Sequence, residues 1–220
     1  IARGEAEEVL YGRLLEALGY SENRQPFLTL AHRLPWRALR APLLVLPQQA
    51  RAGEAERRLS AASRGLPWRT RGLRPGNGPR LRLAAAARLA ARYAGPGLLA
   101  GLMEAVALAD RGGPSALGRA LVVREGGHAL LGPGRAGEIA VNVVLPLAVA
   151  LGDASLAEAA QALYRRWPRS SPFSVTRHLD QALSTEDRDG VRIDARRQQG
   201  MLLLYRNYCT QGGCGRCALS

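Results

Sequence analysis

The chain has 220 residues, an apolar fraction of 47%, and a formal charge of +13 from 31 basic and 18 acidic residues. That apolar fraction excludes wholesale disorder, and the length allows one large domain or two small ones. No stretch is long and apolar enough to cross a bilayer: Ile139 to Gly152 is the most apolar, and Asn142 and Pro146 interrupt it.

Helical periodicity runs through most of the chain. Val9, Leu10, Leu14, Leu15 and Leu18 recur at three-and-four spacing, with Gly19 placed to stop the helix. Asn23 is a candidate cap for a second helix, with Pro26 in its first turn and Phe27, Leu30, Ala31 and Leu34 on one face. Pro35 ends that run, and Arg37 to Leu46 is apolar without a clear period. Gln48 to Ser63 reads as a helix. Gly65 to Pro79 reads as a loop dense in Gly, Pro and Asn. Pro79 opens an Ala-rich helix to Tyr93, which Gly95-Pro96-Gly97 breaks. Leu98 to Asp110 is helical, and residues 115–134 are the least regular. A long apolar helix is expected from Arg135 to Leu151 as a core element. Asp153 caps Ser155 to Trp167, Ser174 caps a short helix to Leu183, and Arg196 to Cys209 forms the last helix. Leu121 to Val123 and Val191 to Ile193 are weak strand candidates. With no repeat and no clear linker, one mostly all-α, multi-helix domain is expected over residues 1–220, with a cysteine-bearing tail at 205–220.

Charge is unevenly placed. Every basic residue is arginine, which with abundant Ala, Gly and Leu suggests GC-rich codon usage behind part of the count. Between Arg57 and Met103 there are ten arginines and no acidic residue. Such a block builds one local potential, and its first candidate partner is nucleic acid, because guanidinium forks match phosphate geometry. The centre of the block gives candidate contacts Arg69, Arg71, Arg74, Asn77, Arg80 and Arg82, with Trp68 available to stack on a base. Two structural alternatives stand beside this. Arg74 can bridge carbonyls while Asn77 caps the helix opened by Pro79, and the remaining arginines can form a solvated surface.

Cys209, Cys214 and Cys217 follow a Cys-x4-Cys-x2-Cys spacing with Gly212, Gly213 and Gly215 between them. The last pair can chelate a metal from a tight turn, so zinc or an iron–sulfur cluster is the expected cofactor. Three thiolates are one ligand short. His178 is the nearest candidate in the chain, and a cysteine outside these residues is the other. Free thiols are the structural alternative. The odd cysteine count and the lack of an export signal favour a cytoplasmic location. No nucleophile triad, zinc-protease or phosphate-loop motif is present, and Glu104, Asp110, Asp153 and Asp180 are scattered, so no catalytic residue is assigned.

Four ordered blocks carry a resemblance. They are Leu18-Gly-Tyr-Ser-Glu-Asn23-Arg24-Gln-Pro26-Phe27 with Leu30-Ala31; Gly72-Leu-Arg74-Pro75-Gly-Asn77-Gly-Pro79; Arg135-Ala136 with Asn142-Val-Val-Leu-Pro146; and Gln198-Gln199-Gly200 with Tyr205 and the cysteines. Together they resemble the bacterial family catalogued as domain of unknown function 2851, over nearly the whole chain. Ala218 departs from the proline expected after the last cysteine. The resemblance implies a protein about twice this length, whose N-terminal half is similar to the PD-(D/E)XK nuclease fold and holds the catalytic acids. The absence of an initial Met and the abrupt helical start at Glu5 also suggest a longer parent. These residues would then be a helical accessory domain that binds nucleic acid, with the fourth cluster ligand donated from the other half. A structural or protein-interaction domain is the alternative.

Overall fold

The first helix, α1 (Arg3–Leu18), buries Ala6, Leu10, Tyr11, Leu14, Leu15 and Leu18. The i, i+4 row Ala6–Leu10–Leu14 and the row Tyr11–Leu15–Leu18 form one apolar stripe. Val9, expected on that face, is 47% exposed and Tyr11 takes its place. The computed structural model describes residues 3–73, 75–169, 179, 193–213 and 215–217.

The other helices are α2 (Arg24–Arg33), α3 (Trp36–Leu44), α4 (Gln48–Ala62), α5 (Pro79–Tyr93), α6 (Leu98–Gly112), α7 (Pro114–Leu121), α8 (Pro133–Ile139), α9 (Leu145–Ala150), α10 (Ala154–Arg166) and α11 (Ala195–Asn207). Pro79, Pro114 and Pro133 each open a helix, where a missing N–H costs nothing. Asp153 caps α10 by accepting from the Leu156 amide, as expected, and Asp194 caps α11 by accepting from the Arg197 amide. The all-α expectation is met: the helices pack α1 on α2, α4 on α5, and α6 on α7 and α10. One apolar cluster runs from Ala6 in α1 to Ala195 in α11. Apart from Leu179, the helix expected from Ser174 to Leu183, the polar loop after it and residues 191–192 lie outside the described residues.

Three regions differ from the sequence reading. Residues 36–44 form α3 despite Pro42, which forfeits one backbone bond near the end of a short helix. Residues 114–131 are ordered as α7 followed by a hairpin, β1 (Val123–Glu125) and β2 (His128–Leu131). Gly126 and Gly127 both take positive φ, 54° and 81°, which a two-residue hairpin turn requires. The pairing starts at Val123, so Leu121 and Val122 belong to the helix end and its cap. The long apolar helix is widened in its middle. Ala140–Val144 forms a π turn in which the Leu145 amide donates to the Ala140 carbonyl. Pro146 explains this, because it cannot donate to the Asn142 carbonyl and its ring crowds that oxygen.

Two neighbouring glutamates on α1 each satisfy another helix start. Glu8 accepts from the amides of Trp36 (2.8 Å) and Arg37 (3.0 Å), and Glu7 accepts from the Leu99 amide (3.2 Å). At the far end of α1, Gly19 lacks a positive φ. It is glycine because a Cβ there would lie 2.3 Å from the Asn23 carbonyl oxygen. Gly19→Ala should therefore lower the unfolding free energy by about 2–3 kcal/mol, as forced overpacking does, in urea denaturation. A change within about 0.5 kcal/mol, the range of an inert surface substitution, would show that the turn opens freely.

Candidate anion-binding site

Segments far apart in sequence meet where α1 ends. Tyr20 has φ +55°, alone among the described non-glycine residues in the left-handed region. A bulky residue there costs about 1–2 kcal/mol, so its neighbours must over-determine it. Arg135, at the start of α8, lays its guanidinium over the Tyr20 ring, 3.8 Å from the centroid. The same guanidinium donates to the Ala17 carbonyl and to the Glu138 carboxylate. Arg82, from α5, stands 5.9 Å from the same ring. The Nε atoms of Arg82 and Arg135 are buried without a partner. Nearby, Asn142 in the π turn donates to the Glu138 carbonyl (2.9 Å) and accepts from Gln199 of α11 (3.1 Å).

The arginine loop is joined to this turn at both ends. Asn23, 1% exposed, makes no cap bond. Its carboxamide instead accepts from the Arg69 amide (2.9 Å) and donates to the Arg69 carbonyl (3.0 Å), acting like one rung of a strand pair. Arg82 ties the other end, donating to the Leu130 carbonyl and to Asn77 Oδ1, both at 2.9 Å.

These bonds correct two expectations. Arg82 points inward rather than to the surface: it is 6% exposed, its two terminal nitrogens bond inside the protein and its Nε is buried. Burial pushes its pKa down, Arg135 adds to that, and Tyr20 and Glu138 oppose it. Asn77 does not cap α5; Gly78 holds that position without a side-chain bond. Trp68 is also committed, donating to the Ser63 carbonyl (3.1 Å) with its ring edge-on to Phe27 at 4.9 Å. Arg69 pairs with Glu22. Arg71 and Arg80 are exposed and take no side-chain partner among the described residues. Arg74 lies outside the described residues.

Part of the acid-free block is neutralised by glutamates outside it. Arg57 and Arg58 pair with Glu54, and Arg88 pairs with both Glu56 and Glu125. Arg92 donates to the Ala120 and Val122 carbonyls.

The cysteine tail follows a 3-10 turn, Cys209–Gln211. Gly212 and Gly215 take positive φ, 64° and 85°. Gly213 instead sits on Tyr208, its amide 2.8 Å from the Tyr208 carbonyl. Cys209 and Cys217 are half-buried, while Cys214 and His178 lie outside the described residues. Among the described residues no three His, Cys, Asp or Glu side chains converge to hold a metal. Glu104 and Asp153, scattered in sequence, do line one open cleft with Glu158 between α6 and α10. Asp153 spends its carboxylate on the α10 amide. The side chain of Asp110 and all of Asp180 lie outside the described residues.

Sequence reasoning left Arg13, Glu16, Tyr20, Arg24, Arg135 and Asn142 unassigned. The available signal was that Tyr20, Arg24, Arg135 and Asn142 fall inside the blocks that carry the family resemblance. Glu16 is the electrostatic centre of this group. One oxygen takes Arg13 at 2.8 Å and the other takes Arg24 at 2.5 Å. Burial raises its carboxyl pKa, but the hydrogen bonds and charges of the two arginines outweigh that, and the net shift is downward. A lowered folded-state pKa stabilises above the unfolded value and is lost as pH falls through the folded one. Glu16→Gln should therefore be less stable than wild type at neutral pH, and the gap should close below about pH 4.5 in denaturant titrations. A gap that stays constant down to about pH 3 would remove Glu16 from this role.

Compared with protein-family profiles, curated proteins and solved structures, the chain finds no match, so the reading of this site rests on its own geometry.

Proposed function

We propose that this chain is a helical accessory domain that binds the phosphate backbone of nucleic acid within a nuclease-like DNA- or RNA-processing protein. The observation that carries the reading is the arginine loop. Asn23 and Arg82 hold its two ends, and Arg71 on it and Arg80 in the first turn of α5 face solvent without side-chain partners among the described residues. Exposed Arg64 precedes it. A loop held this way presents guanidinium groups with little ordering left to do on binding. The four-block resemblance supplies the nuclease-like context. The protein-interaction alternative draws on a different feature. An apolar groove of about 470 Å³ lies between α1, α2 and α3, lined by Val9, Leu28, Ala31 and Pro35.

Salt dependence separates the two readings. A duplex of arbitrary sequence should bind at low salt, with log Kobs falling linearly against log salt. Arg71→Ala and Arg80→Ala should each reduce the slope by about 1 and weaken all sequences alike. Arg82→Met should instead lower stability by about 3 kcal/mol, because it strands the Asn77 and Leu130 oxygens. No retention of any polyanion at low salt overturns the reading.

The cysteine turn enters the same proposal as a clamp for zinc or an iron–sulfur cluster through Cys209, Cys214 and Cys217. The positive-φ glycines support it. Elemental analysis and the absorption spectrum of anaerobically purified protein should show near-stoichiometric zinc, or iron with sulfide. Metal-free protein that leaves all three thiols open to alkylation in the folded state overturns the clamp.

A further inference from the structure

Beside the arginine loop, the end of α1, the π turn and α11 line an open cavity of about 650 Å³. Its walls differ in chemistry. One is apolar, made by Ala17, Ile139, Val143 and Leu202. The other carries Arg13, Arg24 and Arg206. Four arginines and two glutamates line the whole, so the lining charge is 4 − 2 = +2.

The cationic wall is organised. Glu16 holds Arg13 and Arg24 side by side, taking one N–H bond from each. Each guanidinium has five N–H donors, so four remain on each. Arg206 is exposed and has no side-chain partner among the described residues. Arg135 is already spent on Tyr20, Ala17 and Glu138, so it shapes the wall. The Tyr20 hydroxyl takes no partner among the described residues, and Asn142 is oriented by its bonds to Glu138 and Gln199. Two local irregularities, the left-handed Tyr20 and the π turn at Asn142, border this one cavity. Features of this kind concentrate at functional sites.

We propose that this cavity binds a nucleoside phosphate, either a free mononucleotide or the phosphorylated end of a strand. The phosphate meets Arg13, Arg24 and Arg206. The base lies on the apolar wall with one edge toward Asn142, which keeps a carbonyl lone pair and an N–H. The volume lies within the range of roughly 300–1,000 Å³ typical of small-ligand sites. Inorganic phosphate would leave the apolar wall bare, and an uncharged apolar ligand would leave the guanidiniums desolvated without a counter-charge. The proposal goes beyond backbone binding and uses none of the loop contacts.

The test is calorimetric titration of the 220-residue protein with the four ribonucleoside monophosphates, with inorganic phosphate, and with a single-stranded oligonucleotide carrying a 5′-phosphate or a 5′-hydroxyl. A mononucleotide should bind with a dissociation constant of about 1 mM or tighter, and inorganic phosphate about tenfold more weakly. Binding of the 5′-phosphorylated oligonucleotide in preference to its 5′-hydroxyl twin, without mononucleotide binding, identifies the strand end as the source. Arg206→Gln should weaken whichever ligand binds by about tenfold, the loss of one charge-assisted contact. Because Arg206 is exposed, the variant should melt like wild type. Arg24→Gln should weaken binding in the same direction, while Arg119→Ala, at an exposed α7 residue outside the lining, should leave it unchanged. The proposal is overturned if neither ligand binds, if inorganic phosphate binds as tightly as nucleotide, or if Arg206→Gln and Arg24→Gln both bind like wild type.

Discussion

The rest of the structure depends on how α1 ends. Gly19 lets the Asn23 carbonyl approach where a Cβ would collide, and Tyr20 then turns into the left-handed region. That turn is held from outside. Arg135, 118 residues away in sequence, donates to the Ala17 carbonyl and stacks on the Tyr20 ring. Asn23, released from capping duty, reaches 46 residues forward to clamp Arg69. One local irregularity thus ties α1 to α8 and to the arginine loop.

The opposite end of α1 works by a different means. Glu7 and Glu8 offer carboxylates to the exposed amides at the starts of α6 and α3. A carboxylate on unsatisfied amides meets both the hydrogen-bond deficit and the dipole of a helix start. Neither α3 nor α6 has a side-chain cap of its own, so their starts are supplied from α1. The central helix therefore organises the bundle through buried leucines along its length and polar groups at its two ends.

Charge follows the same logic of supply from a distance. Ten arginines without an intervening acid look like one cationic surface. Folding brings Glu22, Glu54, Glu56 and Glu125 against that block. Carbonyls take Arg82 and Arg92. Within that block, Arg64, Arg71 on the loop and Arg80 in the first turn of α5 stay exposed without a side-chain partner among the described residues. A net charge of +13 states an attraction to polyanions. It does not say which guanidinium groups carry it.

The residues alone determined the helical class, most helix positions and the Asp153 cap, because these depend on neighbours within one or two turns; the Asp194 cap of α11 appeared only in the structure. The break at Gly95-Pro96-Gly97 and the helix opened by Pro79 were legible for the same reason, whereas Pro114 and Pro133 were not read as helix starts. The Gly126-Gly127 hairpin escaped because its strands are too short for alternation to register. The π turn at Ala140–Val144 escaped because Pro146 can either kink a helix or widen it, and the segment's packing against α1 and α7 is not written in its local sequence. The site residues divide in the same way. Arg71 on the loop and Arg80 in the first turn of α5 stand exposed. Arg82, of identical type and two positions from Arg80, is buried because that side of α5 faces β2 and Tyr20. The cavity of Arg13, Arg24, Arg206 and Asn142 has no sequence signature, since its walls come from α1, α2, the π turn and α11. Local propensity depends on adjacent residues and can be read along the chain. A site assembled across sequence separations of more than a hundred residues exists only once tertiary packing has brought its walls together.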